Sequence, residues 1–175
     1  MGCGASKVQA APSYRMRTPM LVMPFRQFKA QGRIMKSVQK WRDEALEQGW
    51  LIEFSHEPQE GLKVRSDGKV AIFISHTWWD REFVDETNDP DDQYDIGAPD
   101  YQTGEKKDLK WRVICAGVSR LIEQEQLKEK DVCLWVDWQS LYQDDRVRKQ
   151  EGVDSLIEYA TQCQYMLVPI EAVHS

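Results

Sequence analysis

The chain has 175 residues, of which 41% are hydrophobic, and this length predicts one domain with an extension. Its net charge of -6 is unevenly spread, because residues 1–42 hold nine Lys/Arg and no Asp/Glu, whereas the remainder holds 14 basic and 29 acidic residues. The acidic remainder opposes a nucleic-acid footprint, so no nucleic-acid partner is expected. The sequence contains no apolar stretch near the ~20 residues that span a bilayer. Its four cysteines form no C-x-x-C pair, which argues against a disulfide framework or a zinc site.

The N-terminus carries a lipidation pattern. The first residues, Met1-Gly2-Cys3-Gly4-Ala5-Ser6, fit N-myristoylation on Gly2, and Cys3 is a natural palmitoylation site. A single myristoyl chain binds a membrane only marginally, and Cys3 together with the basic run would supply the second signal. A chance match and an organelle transit peptide are the alternatives, although three early prolines interrupt the helix that a transit peptide needs. We therefore expect a lipid anchor on the anionic cytosolic leaflet of a membrane, and otherwise a cytoplasmic protein.

Three segments follow in chain order. Residues 1–32 are predicted to be the lipidated basic anchor and a flexible linker, and residues 33–68 a helix with a connecting segment. Within the latter, residues 33–48 form an amphipathic pattern that ends at Gly49. The apolar positions of that pattern are Ile34, Met35, Val38, Trp41, Ala45 and Leu46. Acidic residues on its polar side favour packing on the body over lying on the membrane. A short strand is predicted at 50–54.

Residues 69–175 alternate between strands and helices. Continuous apolar runs at 69–74 and 131–136 predict buried strands, and the run at 165–170 predicts a third strand. Helices are predicted at 109–127 and 152–162. The faces predicted to point inward are Leu109, Val113, Ile114, Gly117, Leu121 and Ile122 in the first helix, and Val153, Leu156, Ile157 and Ala160 in the second. The polar stretch 80–108 is predicted to be an exposed or disordered loop. This alternation predicts an α/β domain with a parallel sheet.

Polar and aromatic side chains follow the first two strands of that sheet, where ligand sites of open parallel sheets lie. The ligand-pocket candidates are Ser75, His76, Trp78, Asp80, Asp137, Trp138 and Gln143. A Ser-His-Asp hydrolase is disfavoured because Ser75 and His76 are adjacent and no G-x-S-x-G motif is present. A metal site at His76, Asp80 and Asp137 lacks a signature spacing. The remaining alternative is that these residues only brace loops.

The same motifs carry a family resemblance over residues 69–170. Phe73-Ile74-Ser75-His76-Thr77-Trp78, then Leu134-Trp135-Val136-Asp137-Trp138 with Gln143, and then Tyr165-Met166-Leu167-Val168-Pro169 resemble a Toll/interleukin-1 receptor (TIR)-like domain. The resemblance is to the version common in algal and protist proteins, and more distantly to the fungal heterokaryon-incompatibility domain. It implies a three-layer, flavodoxin-like parallel sheet that mediates self-association and signalling. Its implied partners are other TIR-like domains or signalling proteins.

Some members of that family hydrolyse NAD with a glutamate on a helix after the third strand, often in a Trp-Cys-x-x-Glu pattern. No residue here matches that glutamate, and Glu171 lies too near the strand end to be assigned its role. The fourth and fifth strands of the family fold are also missing, so residues 69–175 are expected to be an incomplete or reduced domain. A signalling or protein-interaction module is therefore the leading expectation, without a cofactor and without an assigned catalytic residue. The alternative is an NAD glycohydrolase, or a nucleotide-binding domain with NAD as ligand, whose catalytic glutamate lies beyond this chain.

Overall fold

The computed structural model describes residues 17–54, 68–75, 77–82 and 97–171. The fold is α/β, with five strands and six α-helices in the described residues. The strands are β1 (Met20–Pro24), β2 (Ile52–Phe54), β3 (Val70–Ile74), β4 (Val132–Val136) and β5 (Tyr165–Leu167). The helices are α1 (Phe25–Gln31), α2 (Gln39–Glu47), α3 (Leu109–Gln124), α4 (Asp137–Ser140), α5 (Arg146–Asp154) and α6 (Leu156–Gln162), with a 3-10 turn at Glu129–Asp131.

The sheet is mixed and has the strand order β2-β1-β4-β3-β5. β3 is parallel to β4 on one side and to β5 on the other, so Phe73 lies opposite both Trp135 and Met166. β1 is antiparallel to β2 and to β4. The predicted strands at 50–54, 69–74 and 131–136 are confirmed, and the one predicted at 165–170 is confirmed only over Tyr165–Leu167. The prediction of a wholly parallel sheet holds only for β3, β4 and β5.

Helices cover both faces of the sheet. Apolar residues of α1, α2 and α3, including Phe28, Ala45 and Ile114, pack with the β3 and β4 side chains on one face. On the other face, Tyr159 of α6 packs with Phe73 and Trp135, whose rings stack at 4.4 Å. β3 and β4 are buried along their whole length because both of their faces are covered.

The prediction of a flexible linker over residues 1–32 is wrong for residues 20–31. β1 lies inside the sheet, and Met20, Val22 and Met23 have no exposed surface. Its apolar run is long enough for a strand, and Pro24 ends it because proline cannot donate a ladder hydrogen bond. The sheet therefore begins well before the predicted domain boundary at residue 69.

Two predicted helices differ from the observed ones. α2 begins only at Gln39, and its packing on the body through Ala45 and Trp41 is confirmed. The predicted helix at 152–162 is divided at Ser155 into α5 and α6.

The inward face of that second helix was predicted correctly for Leu156 and Ala160, which pack against the core, and wrongly for Val153 and Ile157. Val153 is 42% exposed and Ile157 is 60% exposed, whereas Gly152 and Tyr159 are buried. A Cβ on Gly152 would lie 2.4 Å from Leu141 Cδ2, so the missing side chain is what lets this face approach the sheet. Close packing at a glycine, rather than apolar periodicity, orients the helix.

The basic run is not a separate arm in the described residues. Arg17 pairs with Asp154 at 2.8 Å, Lys29 with Glu129 at 2.8 Å, and Arg42 with Asp144 at 3.3 Å. Basic residues near the start of the chain thus contact acidic residues from its second half. Gly2 and Cys3 lie outside the described residues. No helix in the described ranges combines the length and the apolar character that crossing a bilayer requires.

Candidate functional site

A crevice of about 580 Å³ lies at the carboxyl ends of β3 and β5. Its lining residues are Ser75, Thr77, Trp78, Trp79, Arg81, Val168, Pro169, Ile170 and Glu171. The chain leaves β3 towards β4 on one side and returns from β4 to β5 on the other. The crevice therefore lies where the strand order reverses, which is where open α/β sheets bind ligands.

Two predicted pocket residues line this crevice. Ser75 follows β3 directly, and its backbone N–H donates to Leu167 O at 3.0 Å, which joins the two strand ends. Trp78 forms part of the wall. His76 lies between them in sequence but outside the described residues. Of the residues expected to line one pocket at the strand ends, Ser75 and Trp78 therefore do so.

Asp80 supports the crevice wall from behind and does not line it. Its backbone pairs with that of Ala98 in both directions, at 3.2 and 2.7 Å, and its Oδ2 accepts from Gln102 N. Gly97 completes this crossing with φ +107°, and a Cβ there would lie 2.8 Å from the Trp78 ring. Asp80 therefore holds two segments of the predicted loop together.

Asp137, Trp138 and Gln143 also lie outside the crevice lining. Asp137 begins α4 immediately after β4, and Trp138 is buried with its ring 5.1 Å from that of Trp78, edge to face. The Gln143 side-chain amide donates to Asp137 O at 3.2 Å, and its backbone N–H donates to Ser37 O. These residues anchor the loop after β4 to the segment before α2, as the loop-bracing alternative expects.

Lys110, on the first turn of α3, was not singled out from the sequence and has no exposed surface. Its ammonium donates to Thr77 O and, at 3.1 Å, to Pro99 O. It also lies 5.1 Å from the centre of the Trp79 ring. Burial lowers the pKa of Lys110 to about 8, although the charges of Asp137 and Asp100 oppose that shift. This lysine ties α3 to the crevice wall.

Asp100 was predicted to lie in an exposed loop and is 1% exposed. Its carboxylate accepts from the backbone N–H groups of Tyr101, Lys110 and Trp111 at 2.7–2.8 Å. Two of these donors belong to the first turn of α3, where helix N–H groups lack partners within the helix. Burial raises the pKa of Asp100, against the effect of those hydrogen bonds. Asp100 thus caps α3 from a distant loop, and the exposed-loop prediction is wrong for this part of 80–108.

Glu171 closes the end of the crevice beyond β5. Its carboxylate lies 2.6 Å from the Lys106 ammonium and accepts from the Tyr101 hydroxyl at 3.0 Å. The hydrogen bond from Lys106 holds the pKa of Glu171 below its ordinary value. Glu171 is therefore a charged, ion-paired rim residue.

The crevice combines several kinds of contact. Trp78 and Trp79 offer flat apolar surfaces, Ser75 and Thr77 offer hydroxyl groups, and Arg81 offers an exposed cation. A planar ligand with a negatively charged group matches this set of side chains. Within the described ranges, no three His, Cys, Asp or Glu side chains are grouped so as to hold a metal ion.

Neither family models, nor curated proteins, nor solved structures gave a match to this chain when compared with it.

Proposed function

We propose that this chain is a lipid-anchored, TIR-like protein-interaction module at the cytosolic face of a membrane. The observation that carries the proposal is the run of exposed apolar side chains at β5, the last strand in the order of the sheet. Other TIR-like domains or signalling proteins are the proposed partners.

The segment from β5 onwards presents alternating apolar side chains to solvent. Met166, Val168 and Ile170 are 59, 58 and 77% exposed, whereas Pro169 between them is buried. Among the described strands, β5 pairs only with β3 and stands last in the strand order. An exposed apolar edge strand is a template for pairing with another chain. These features support a contact surface for proteins.

The order of the parallel strands supports a flavodoxin-like relationship. β3, β4 and β5 are the first, second and third parallel strands in the chain, and they lie in the order second, first, third. A flavodoxin-like sheet begins with the same order. The antiparallel strands β1 and β2 extend the sheet beyond β4, and this extension distinguishes the sheet from a flavodoxin-like one.

The anchor is tested by removing its attachment site. Gly2→Ala should move the protein from the membrane fraction to the soluble fraction of cells, since amide-linked myristate needs the N-terminal glycine. Cys3→Ser is the matched variant, which keeps Gly2 and removes only the second lipid. Equal membrane fractions for wild type and Gly2→Ala would exclude the anchor.

The interaction surface is tested with charges at the β5 edge. Met166→Asp with Val168→Asp should abolish self-association in analytical ultracentrifugation or the recovery of partners after crosslinking in cells. Leu46→Asp, on the exposed side of α2, is the matched control and should behave like wild type. Retained association of the double variant would refute the assignment of this edge.

A second candidate function is cleavage or binding of NAD, which the crevice favours. Its two indoles, Arg81 and its position at the strand-order reversal suit a dinucleotide. Incubation with NAD and chromatography for nicotinamide tests cleavage, and equilibrium dialysis tests binding. Trp78→Ala should abolish either activity, whereas Trp50→Ala, which removes an indole elsewhere, should not. An absence of both turnover and binding in wild type excludes this candidate for the chain.

A further inference from the structure

We infer that the surface formed by α5 and α6 lies against the anionic membrane leaflet and sets the orientation of the anchored protein. This inference rests on the proposed lipid anchor. It assigns a lipid-binding face to a part of the body that is far in sequence from the lipidation pattern.

The first observation is where the N-terminal segment leaves the body. The Arg17 backbone N–H donates to Ser155 Oγ at 3.0 Å, and its guanidinium lies 2.8 Å from the Asp154 carboxylate. The Tyr159 hydroxyl donates to Thr18 O at 2.9 Å. These contacts fix the exit of the chain at the junction of α5 and α6.

The length of chain before this exit keeps the junction near the lipid. Sixteen residues precede Arg17, and even fully extended they span only roughly 55 Å. Any conformation short of full extension brings Arg17 closer to Gly2 than this limit. The surface around the exit therefore meets the leaflet at a higher effective concentration than surfaces on the far side of the body.

The second observation is the apolar character of this surface. Val147, Val153 and Ile157 are 70, 42 and 60% exposed, and they account for three of the seven large hydrophobic residues that are exposed in the described ranges. Val153 and Ile157 lie four residues apart on either side of the break at Ser155. Apolar side chains on a surface helix beside a lipid anchor match an interfacial binding mode.

The third observation is the local charge. Arg146, Lys149 and Val153 recur at i, i+3 and i+7, so basic and apolar side chains share one side of α5. Together with Arg17, residues 145–154 hold four basic residues against Asp145, Glu151 and Asp154, although the chain as a whole carries -6. Arg17 and Arg148 are ion-paired with Asp154 and Asp145. Arg146 and Lys149 therefore carry the excess positive charge of this surface. The other exposed apolar group, at β5, instead lies near the acidic side chains of Glu125 and Glu171. An anionic leaflet therefore matches the α5–α6 surface better than it matches β5.

Vesicle binding of the full, myristoylated chain tests the inference. Vesicles of phosphatidylcholine, with and without phosphatidylserine, are sedimented with the protein. Val153→Asp with Ile157→Asp should weaken binding about tenfold or more, because charged groups replace the inserting apolar ones. The matched control places the same substitutions at Val168 and Ile170, and it should change binding by less than about twofold if only the α5–α6 surface inserts.

A second pair of variants tests the charges. Arg146→Glu with Lys149→Glu should weaken binding roughly tenfold or more, and only on vesicles with phosphatidylserine, because each basic residue contributes about fivefold at an anionic surface. Arg120→Glu with Lys128→Glu alters the same residue types at exposed positions outside the surface and should have a smaller effect. Urea unfolding midpoints equal to that of wild type establish that each variant is folded.

The outcomes separate the orientation from the anchor. Binding that falls in Gly2→Ala but not in the α5–α6 variants keeps the anchor and overturns the orientation. Binding that falls in the α5–α6 variants but not in Gly2→Ala keeps the surface as a lipid contact and overturns the anchor. If the α5–α6 variants abolish a dimer seen by ultracentrifugation without changing vesicle binding, the surface belongs to a second copy and the inference is wrong.

Discussion

β4 and β5 are both parallel neighbours of β3, yet their surroundings differ. β4 has five buried residues, pairs with β3 on one side and β1 on the other, and is followed at once by α4. β5 has three residues, pairs only with β3 in the described residues, and exposes most of Met166. Both derive from continuous apolar runs in the sequence. The difference shows that position in the sheet, and not local composition, decides which run forms the core and which remains available for contacts.

The largest expected change in the free energy of unfolding is at β4. Trp135→Ala should reduce the free energy of unfolding by about 3–5 kcal/mol, because the residue is 1% exposed, stacks on Phe73 and packs against the tilted ring of Tyr159. Met166→Ala, at the matching register position on the β5 side of β3, should change it by less than about 0.5 kcal/mol. Urea unfolding measures both. Similar losses for the two variants would contradict the contrast between the strands.

The next largest change in the free energy of unfolding is expected at α3, the helix that supports the β5 side. Asp100→Ala leaves three backbone N–H groups without their acceptor, and we expect a loss of about 2–3 kcal/mol from this. Asp80→Ala removes one longer bond, from Gln102 N at 3.2 Å, and should cost less than about 1 kcal/mol. Urea unfolding compares the two variants. An Asp100→Ala variant as stable as wild type would show that α3 needs no cap from this loop.

Lys110 gives the β5 side of the molecule a pH dependence between about pH 8 and pH 10.5. The pKa of Lys110 is about 8 in the folded protein and 10.5 in a freely solvated lysine, so between these pH values the unfolded chain binds more protons. The contribution of Lys110 to the free energy of unfolding is therefore lowest below about pH 8 and rises as the pH increases towards 10.5, by at most about 1.4 kcal/mol per pH unit.

Lys110→Met removes this titration and serves as the reference. Urea unfolding at several pH values should show wild type gaining stability relative to the variant across that window, whatever the difference at neutral pH. A constant difference would mean that the ammonium is not desolvated in the folded state.

The smallest change in the free energy of unfolding is expected where α3 contacts β5. A Cβ on Gly117 would lie 2.9 Å from Leu167 Cδ1, the end of a flexible side chain. Gly117→Ala gains up to about 1 kcal/mol of helix propensity and loses part of it by displacing Leu167, so the net change should stay below about 0.5 kcal/mol. Faster hydrogen exchange of the β5 amides, with unchanged exchange in β4, would reveal the displacement. The full propensity gain would instead show that Leu167 moves without cost.

The two central strands could be predicted from the sequence because Val70–Ile74 and Val132–Val136 are apolar and rich in β-branched or aromatic residues. β1 could not be predicted, because its short apolar run follows Pro19 and ends at Pro24 within a basic segment. Its partner strands are also distant in sequence. Periodicity oriented α5 and α6 only in part: Leu156 and Ala160 pack inward as predicted, but the missing side chain of Gly152 controls the approach to Leu141. The position of β1 and the orientation of α5 and α6 depend on contacts between segments that are remote in sequence, and local patterns do not encode such contacts.

The candidate site was predictable only in outline. The ends of β3 identified Ser75 and Trp78, because strand ends in a parallel sheet share one edge. The sequence could not tell which way each loop turns, so Asp137 and Gln143 were expected in the same crevice. Asp100 and Lys110 were missed because isolated charged residues in polar stretches are normally exposed. Their burial depends on backbone partners that no short motif encodes.

The early position of β1 also affects how the protein folds during synthesis. Met23 pairs with Leu134, so β1 leaves the ribosome 111 residues before the strand that it joins. At about 5–20 residues per second, this interval lasts roughly 6–20 s. During that time the apolar run from Met20 to Met23 can pair only with β2, and the sheet cannot close. A nascent chain that stalls in this interval therefore leaves the β4 side of β1 without its native partner strand.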